Sequence, residues 1–105
     1  MDIPKKFMIG GKTFQVKLNN ELDYEKGNEG SIDYRKCEVE LQSSKGIMTE
    51  DAMKHTFWHE VVHGILDSMG EHIQSNDEKY VDTFALLLHQ VIESSNGKIT
   101  IKGRK

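Results

Sequence analysis

The chain carries a single cysteine, Cys37, so no disulfide can form within it, and such a sequence suits a reducing compartment. No apolar run approaches the ~20 residues that a membrane span requires. Residues Met1 to Lys6 lack the apolar stretch of a secretory signal. Together these absences lead us to expect a cytoplasmic protein with no membrane partner. A strong excess of one charge is missing too. The formal net charge is −3, too weak a field to recruit nucleic acid, so a nucleic-acid partner is not expected. The basic end, Lys102-Gly103-Arg104-Lys105, reads as a solvated tail. There is no internal repeat, low-complexity tract or linker, and 105 residues make one domain, 1–105. A domain of this size buries roughly two-thirds of the surface that its unfolded chain exposes. That supports one core of two packed layers and leaves little room for a separate substrate domain.

What is present changes character once along the chain. Up to about Gln42 the signals are for strands. Lys6 to Ile9 and Thr13 to Leu18 flank Gly10-Gly11, the two-glycine turn of a tight hairpin. Phe14, Val16 and Leu18 alternate with polar neighbours, so this strand turns one face to a core. Asn19 to Gly30 is polar and reads as a loop. Ser31 to Tyr34 and Cys37 to Leu41 alternate again and predict a second hairpin turning at Arg35-Lys36.

From Thr49 the period becomes helical. Thr49 is placed to cap a first helix, with Glu50 and Asp51 in its first turn, where the helix dipole favours negative charge. Met53, Phe57, Val61, Ile65, Leu66 and Met69 recur three and four apart, and Gly70 is the natural stop. A second helix is expected from about Asn76 to Ser95, with Tyr80, Val81, Phe84, Leu87, Leu88, Val91 and Ile92 as its apolar stripe. Lys98 to Lys102 is able to add a short last strand. The expected fold is α+β: a small antiparallel sheet of two hairpins followed by two helices.

Within the first helix stands His59-Glu60-Val61-Val62-His63, the pattern H-E-x-x-H. Residues four apart on a helix lie ~40° apart around the axis and one turn along it. Both imidazoles therefore reach one zinc ion at ~2.0–2.1 Å. Glu60, ~100° further round, is too far to be a ligand but near enough to a zinc-activated water to take its proton as general base. The flanks are apolar: Phe57 and Trp58 precede the motif, Gly64-Ile65 follows, and Glu60 is the one Asp, Glu, Lys or Arg between Thr56 and Leu66. An exposed polar edge is the plainer explanation of such a triplet. Here, though, the polar groups would be partly buried, which is costly without a partner, and a metal supplies one.

This stretch resembles the extended signature of the zincin metallopeptidases. The metzincin variant would need glycine at Leu66 and histidine at Met69, and has neither. The gluzincin variant takes a glutamate from the next helix, with an acidic or amide residue one turn later orienting a ligand histidine; Glu78 and Asp82 offer that pair. Glu78 to Leu88 is similar to the E-x-x-A-N-x-F-A-x-x-L segment of the ImmA/IrrE-like metallopeptidases, with Val81 and Asp82 in place of the alanine and asparagine. The likeness extends over Thr13 to Ile92 and is strongest to small phage- and prophage-type members. It implies a minimal zincin with Zn2+ on His59, His63 and Glu78, Glu60 as the catalytic base, and Asp82 supporting a ligand from behind.

Glu78 has a second explanation, since Ser75-Asn76-Asp77-Glu78 also reads as a capping box that merely closes the helix start. Asp67 lies one turn beyond His63 and is able to support it, or to be an ordinary surface carboxylate. His72 follows Gly70 and is free to serve as a substitute ligand. His55 and His89 read as solvent-facing and polar helix positions. Tyr34 and Tyr80 are candidate oxyanion donors, or packed tyrosines. The expected activity is zinc-dependent hydrolysis of a peptide or protein substrate, lying extended beside Cys37 to Leu41 as an edge strand. The alternative is a zincin-like domain that binds zinc for structure or interaction and has lost catalysis. A metal-free interaction or nucleic-acid module fits the charge poorly.

Overall fold

The computed structural model describes residues 1–19, 29–42 and 49–103. Four strands, β1 (Lys6–Ile9), β2 (Lys12–Leu18), β3 (Gly30–Asp33) and β4 (Glu38–Leu41), precede three helices, α1 (Glu50–Ser68), α2 (His72–Ser75) and α3 (Glu78–Ser94). Most of the loop expected between Asn19 and Gly30, residues 20–28, lies outside the described residues, as do Arg104 and Lys105 of the basic tail. None of the described helices is long and apolar enough to cross a membrane.

Both hairpins form. Gly10 and Gly11 take φ of 57° and 80°, the paired positive values that a tight turn between twisted antiparallel strands requires. The second turn is held by Asp33, whose carboxylate accepts the backbone N–H of Arg35 at 2.9 Å and of Lys36 at 3.0 Å. The sheet is mixed, however, where an antiparallel one was expected. Its order is β1-β2-β4-β3, and the hairpins join through a parallel pairing of β2 with β4, Val16 opposite Val39. Burial explains the order: Val39 and Leu41 of β4 are fully buried, whereas β3 offers the sheet only Ile32 among the bulky aliphatics. The more apolar strand takes the middle. That places β3 at an edge and corrects the expectation that Cys37 to Leu41 would be free to receive a substrate, because β4 is paired on both sides.

Thr49 caps α1 by accepting the N–H of Ala52 at 3.1 Å. At the other end Gly70, φ 77°, lets the N–H of Glu71 reach Leu66 O at 2.8 Å and that of Gly70 reach Asp67 O at 3.1 Å, a Schellman stop. The helix is central to the molecule. One side, Phe57 and Val61, packs on Val39, Leu41 and Phe7 of the sheet; another, Val62 and Leu66, packs on Val81 and Ala85 of α3, and Trp58 touches both clusters. Burying each such side chain is worth ~1.5–3 kcal/mol.

Two expectations about the second half change. The apolar stripe of α3 divides: Val81 and Ala85 are fully buried with Leu88 packed beside them, while Tyr80, Phe84, Leu87 and Val91 face outward and are exposed. A 17-residue helix packed mainly along α1 has only one inward side. Residues 98–102 form no strand, and Ile99 and Ile101 stay exposed.

Candidate metal centre

The third side of α1, carrying Thr56, His59, Glu60 and His63, faces a cleft of 660 Å³ closed by β3 and by the junction of α2 with α3. Gly64 belongs to the packing that sets this distance: a β-carbon there would lie 2.8 Å from Ile32 Cδ1 and 3.0 Å from Ile9 Cδ1, so the helix crosses the sheet at its narrowest residue.

Glu78 opens α3 and reaches back across the cleft. Its Oε2 is 3.0 Å from His59 Nε2, its Oε1 is 3.2 Å from His63 Nε2, and the two imidazole nitrogens are 3.2 Å apart. The other ring nitrogens are also engaged. His59 Nδ1 is 3.2 Å from Asp82 Oδ1, and His63 Nδ1 is 3.1 Å from Ser75 Oγ. Asp82 stands one turn after Glu78, so both carboxylates rise from the same side of α3. Its Oδ1 also meets His55 Nε2, at 2.9 Å. Hydrogen bonding from His55, then from His59, holds the Asp82 carboxyl below the usual carboxylate range, against an opposing effect of partial burial.

The donor chemistry tests whether a metal fits. An ionised carboxylate only accepts, so His59 must donate Nδ1–H to Asp82. A neutral His59 then presents a bare Nε2, whose lone pair faces the Glu78 carboxylate and the His63 nitrogen. The Glu78 carboxylate and His59 Nε2 are thus two acceptors at 3.0 Å that call for a proton or a cation between them. His63, whose Nδ1 faces a hydroxyl that both donates and accepts, supplies a proton from Nε2 or leaves that nitrogen bare for a metal. Zinc bonded to nitrogen and oxygen at ~2.0–2.1 Å in a tetrahedron holds neighbouring ligands about 3.3 Å apart, close to this triangle. Both histidines also have the backing that metal-bound imidazoles characteristically have, an oxygen on the far nitrogen. The residues fit a divalent cation of zinc's kind, and three protein ligands leave a fourth position for another group.

Glu60 lies beside this triangle, buried to 8 % exposure, with no hydrogen bond to its carboxylate from any described residue. Burial pushes its pKa up to about 7; the neighbouring His59 opposes the rise and Glu78 adds to it. A cation in the triangle would draw it down again.

The other candidates separate. Helix α3 is capped by Asp77, which accepts the N–H of Tyr80 at 3.1 Å, so the capping box from Ser75 does not form and Glu78 is spared for the cleft. Ser75 instead sits in the single turn of α2 behind His63, a partner that the sequence reading missed because the same serine explained a helix start. Its signal was its polarity between Gly70 and a helix, too common to stand out. His72 is exposed and paired with Asp67 at 3.2 Å, away from the triangle. Tyr34 accepts from Ser68 at 3.2 Å and Tyr80 lies on the outer side of α3, so neither lines the cleft. His89 stays outside it, 3.5 Å from Glu93. His55, expected in solvent, is turned toward Asp82 because α3 packs along that side of α1. Comparisons of the chain with protein families, with curated proteins and with solved structures found no match.

Proposed function

We propose that the chain is a zinc-dependent metallopeptidase of the gluzincin kind, resembling the ImmA/IrrE-like enzymes, with His59, His63 and Glu78 holding the ion. One observation carries this reading: two imidazole nitrogens and a carboxylate at 3.0–3.2 Å, the nitrogens on the H-E-x-x-H helix and each histidine backed from behind.

When bound, zinc supplies Lewis acidity, which lowers the pKa of water toward ~7 and polarises a carbonyl. The chain's own residues do the rest. Asp82 and Ser75 fix the rings, so their Nε2 lone pairs aim inward. Glu60, adjacent to His59 and held in a low-dielectric wall, takes the proton of the attacking water and passes it to the leaving amine. The substrate adds as a strand to the outer edge of β3, whose Gly30, Ser31 and Ile32 line the cleft. Main-chain hydrogen bonds there hold an extended peptide with modest selectivity for its side chains.

The test is metal analysis coupled to hydrolysis of unfolded protein. One zinc per chain is expected, with Glu60→Gln retaining it and losing roughly 10²–10⁴-fold in rate. A chain that stays empty after reconstitution overturns the reading. Full zinc loading without hydrolysis of any peptide would leave a zinc-binding, non-catalytic domain.

A further inference from the structure

Resting on the zinc reading of the centre, we propose that His55 is a positioning residue for it, acting on the metal through Asp82 and His59. Helix α1 presents His55, His59 and His63 one turn apart, and α3 presents Glu78 and Asp82 one turn apart. The two rows interlock. Glu78 spans His59 and His63; Asp82 spans His55 and His59, and a single oxygen, Oδ1, takes both imidazoles at 2.9 and 3.2 Å. The shorter of the two contacts is the one from His55.

Asp82 needs such a hold. Its side chain is 59 % exposed, on an open helix surface where a carboxylate is free to change rotamer and exchange partners with water. Because a carboxylate only accepts, both imidazoles donate to it, and the Nε2–H of His55 pins the oxygen that receives Nδ1–H from His59. With the oxygen pinned, His59 is kept in the tautomer whose Nε2 is bare. If the oxygen is released, His59 is able to place its proton on Nε2, where it blocks the metal. The rest of the His55 ring is poorly served: Nδ1 is out of solvent and has no partner among the described residues. The contact with Asp82 is therefore its principal polar engagement, and an imidazole there is costly for packing alone.

The prediction separates this role from general stability. Loss of a ligand's outer partner typically weakens metal binding 10–100-fold, so Asp82→Ala should fall in that range and His55→Ala, one step further out, near tenfold. If His55 acts through Asp82, the double variant binds zinc as Asp82→Ala alone does. His55→Gln, whose amide nitrogen is as many bonds from the backbone as Nε2, should restore most of the affinity. Nitrogen-detected NMR of the metal-free protein at alkaline pH gives an independent readout. His59 should be protonated on Nδ1 in wild type and in His55→Gln, and should become a tautomer mixture in His55→Ala. Additive losses in the double variant, or an unchanged His59 tautomer in His55→Ala, overturn the proposal. If wild type takes up no zinc, the metal reading falls, and the tautomer measurement still decides whether His55 orders His59.

Discussion

Asp77 occupies the cap position of α3, and this releases the neighbouring carboxylate of Glu78 from closing the helix. The two residues should therefore respond oppositely to substitution. Asp77→Ala removes the acceptor for the Tyr80 N–H and should cost about 0.5–2 kcal/mol of stability with zinc affinity little changed. Glu78→Gln should cost a few tenths of a kcal/mol at most, since the side chain is largely exposed, yet lower zinc affinity by orders of magnitude because the charge is lost from the metal. Denaturant unfolding of the metal-free proteins and chelator-competition titrations measure the two effects. His59→Ala and His63→Ala should each abolish tight zinc binding by the same titration. A Glu78→Gln variant that binds zinc as wild type does would remove the glutamate from the ligand set.

At the scale of elements, the edge strand β3 depends on a close approach to α1. A β-carbon at Gly30 would lie 2.7 Å from Thr56 Cγ2 and 3.1 Å from the backbone oxygen of Glu40. The methyl of Thr56 cannot yield freely, since it is β-branched and its hydroxyl donates to Glu29 at 3.3 Å. Gly30→Ala should thus cost about 1–3 kcal/mol by overpacking and, if the proposed peptidase reading holds, slow peptide turnover by shifting the strand proposed to receive the substrate. Thermal unfolding and initial-rate measurements test both parts. The hairpin leading out of β3 has a pH signature. The backbone N–H of Lys36 lowers the Asp33 carboxyl from its ordinary value; desolvation opposes it, and the N–H of Arg35 lowers the carboxyl further. A depressed carboxylate adds stability that is present above its unfolded pKa and disappears as pH falls through the lower folded value. The destabilisation caused by Asp33→Ala should accordingly be seen near neutrality and fade under acid conditions, as unfolding midpoints across pH would show.

Across the whole molecule, a metal on these residues would add a polar link between α1 and α3, which already pack together through Val62, Leu66, Val81 and Ala85. His59 and His63 come from the central helix, Glu78 from the last, and Ser75 from the turn between them. A ligand bound only by the folded state at a hundred times its Kd adds about 2.7 kcal/mol, which for a domain near 100 residues raises Tm on the order of 10 °C. Chelation should lower Tm by that amount, and acidification should do the same as the imidazoles protonate and release the metal. Calorimetry with and without zinc checks this; equal midpoints at neutral pH would show that the triangle is empty under those conditions.

Much of this was legible in the chain itself, because it follows from local periodicity. Alternation marked both hairpins, the two glycines marked the first turn, and Thr49 and Gly70 bracketed α1. A helix repeats every ~3.6 residues, so the spacing of His59, Glu60 and His63 put two imidazoles on one side of α1 and the carboxylate beside them before any packing was known. What lies between distant segments was not legible. Which strand sits at the edge depended on which hairpin arm buries more apolar surface, and β4 won over β3. Whether Glu78 capped a helix or faced the cleft depended on Asp77 taking the cap. Whether Asp82 met solvent, His59 or His55 depended on how α3 lies along α1, an arrangement set by Val62, Leu66, Val81 and Ala85 rather than by any polar residue of the site. Local sequence determines which side of a helix a side chain leaves from; only the packed core determines what it meets there.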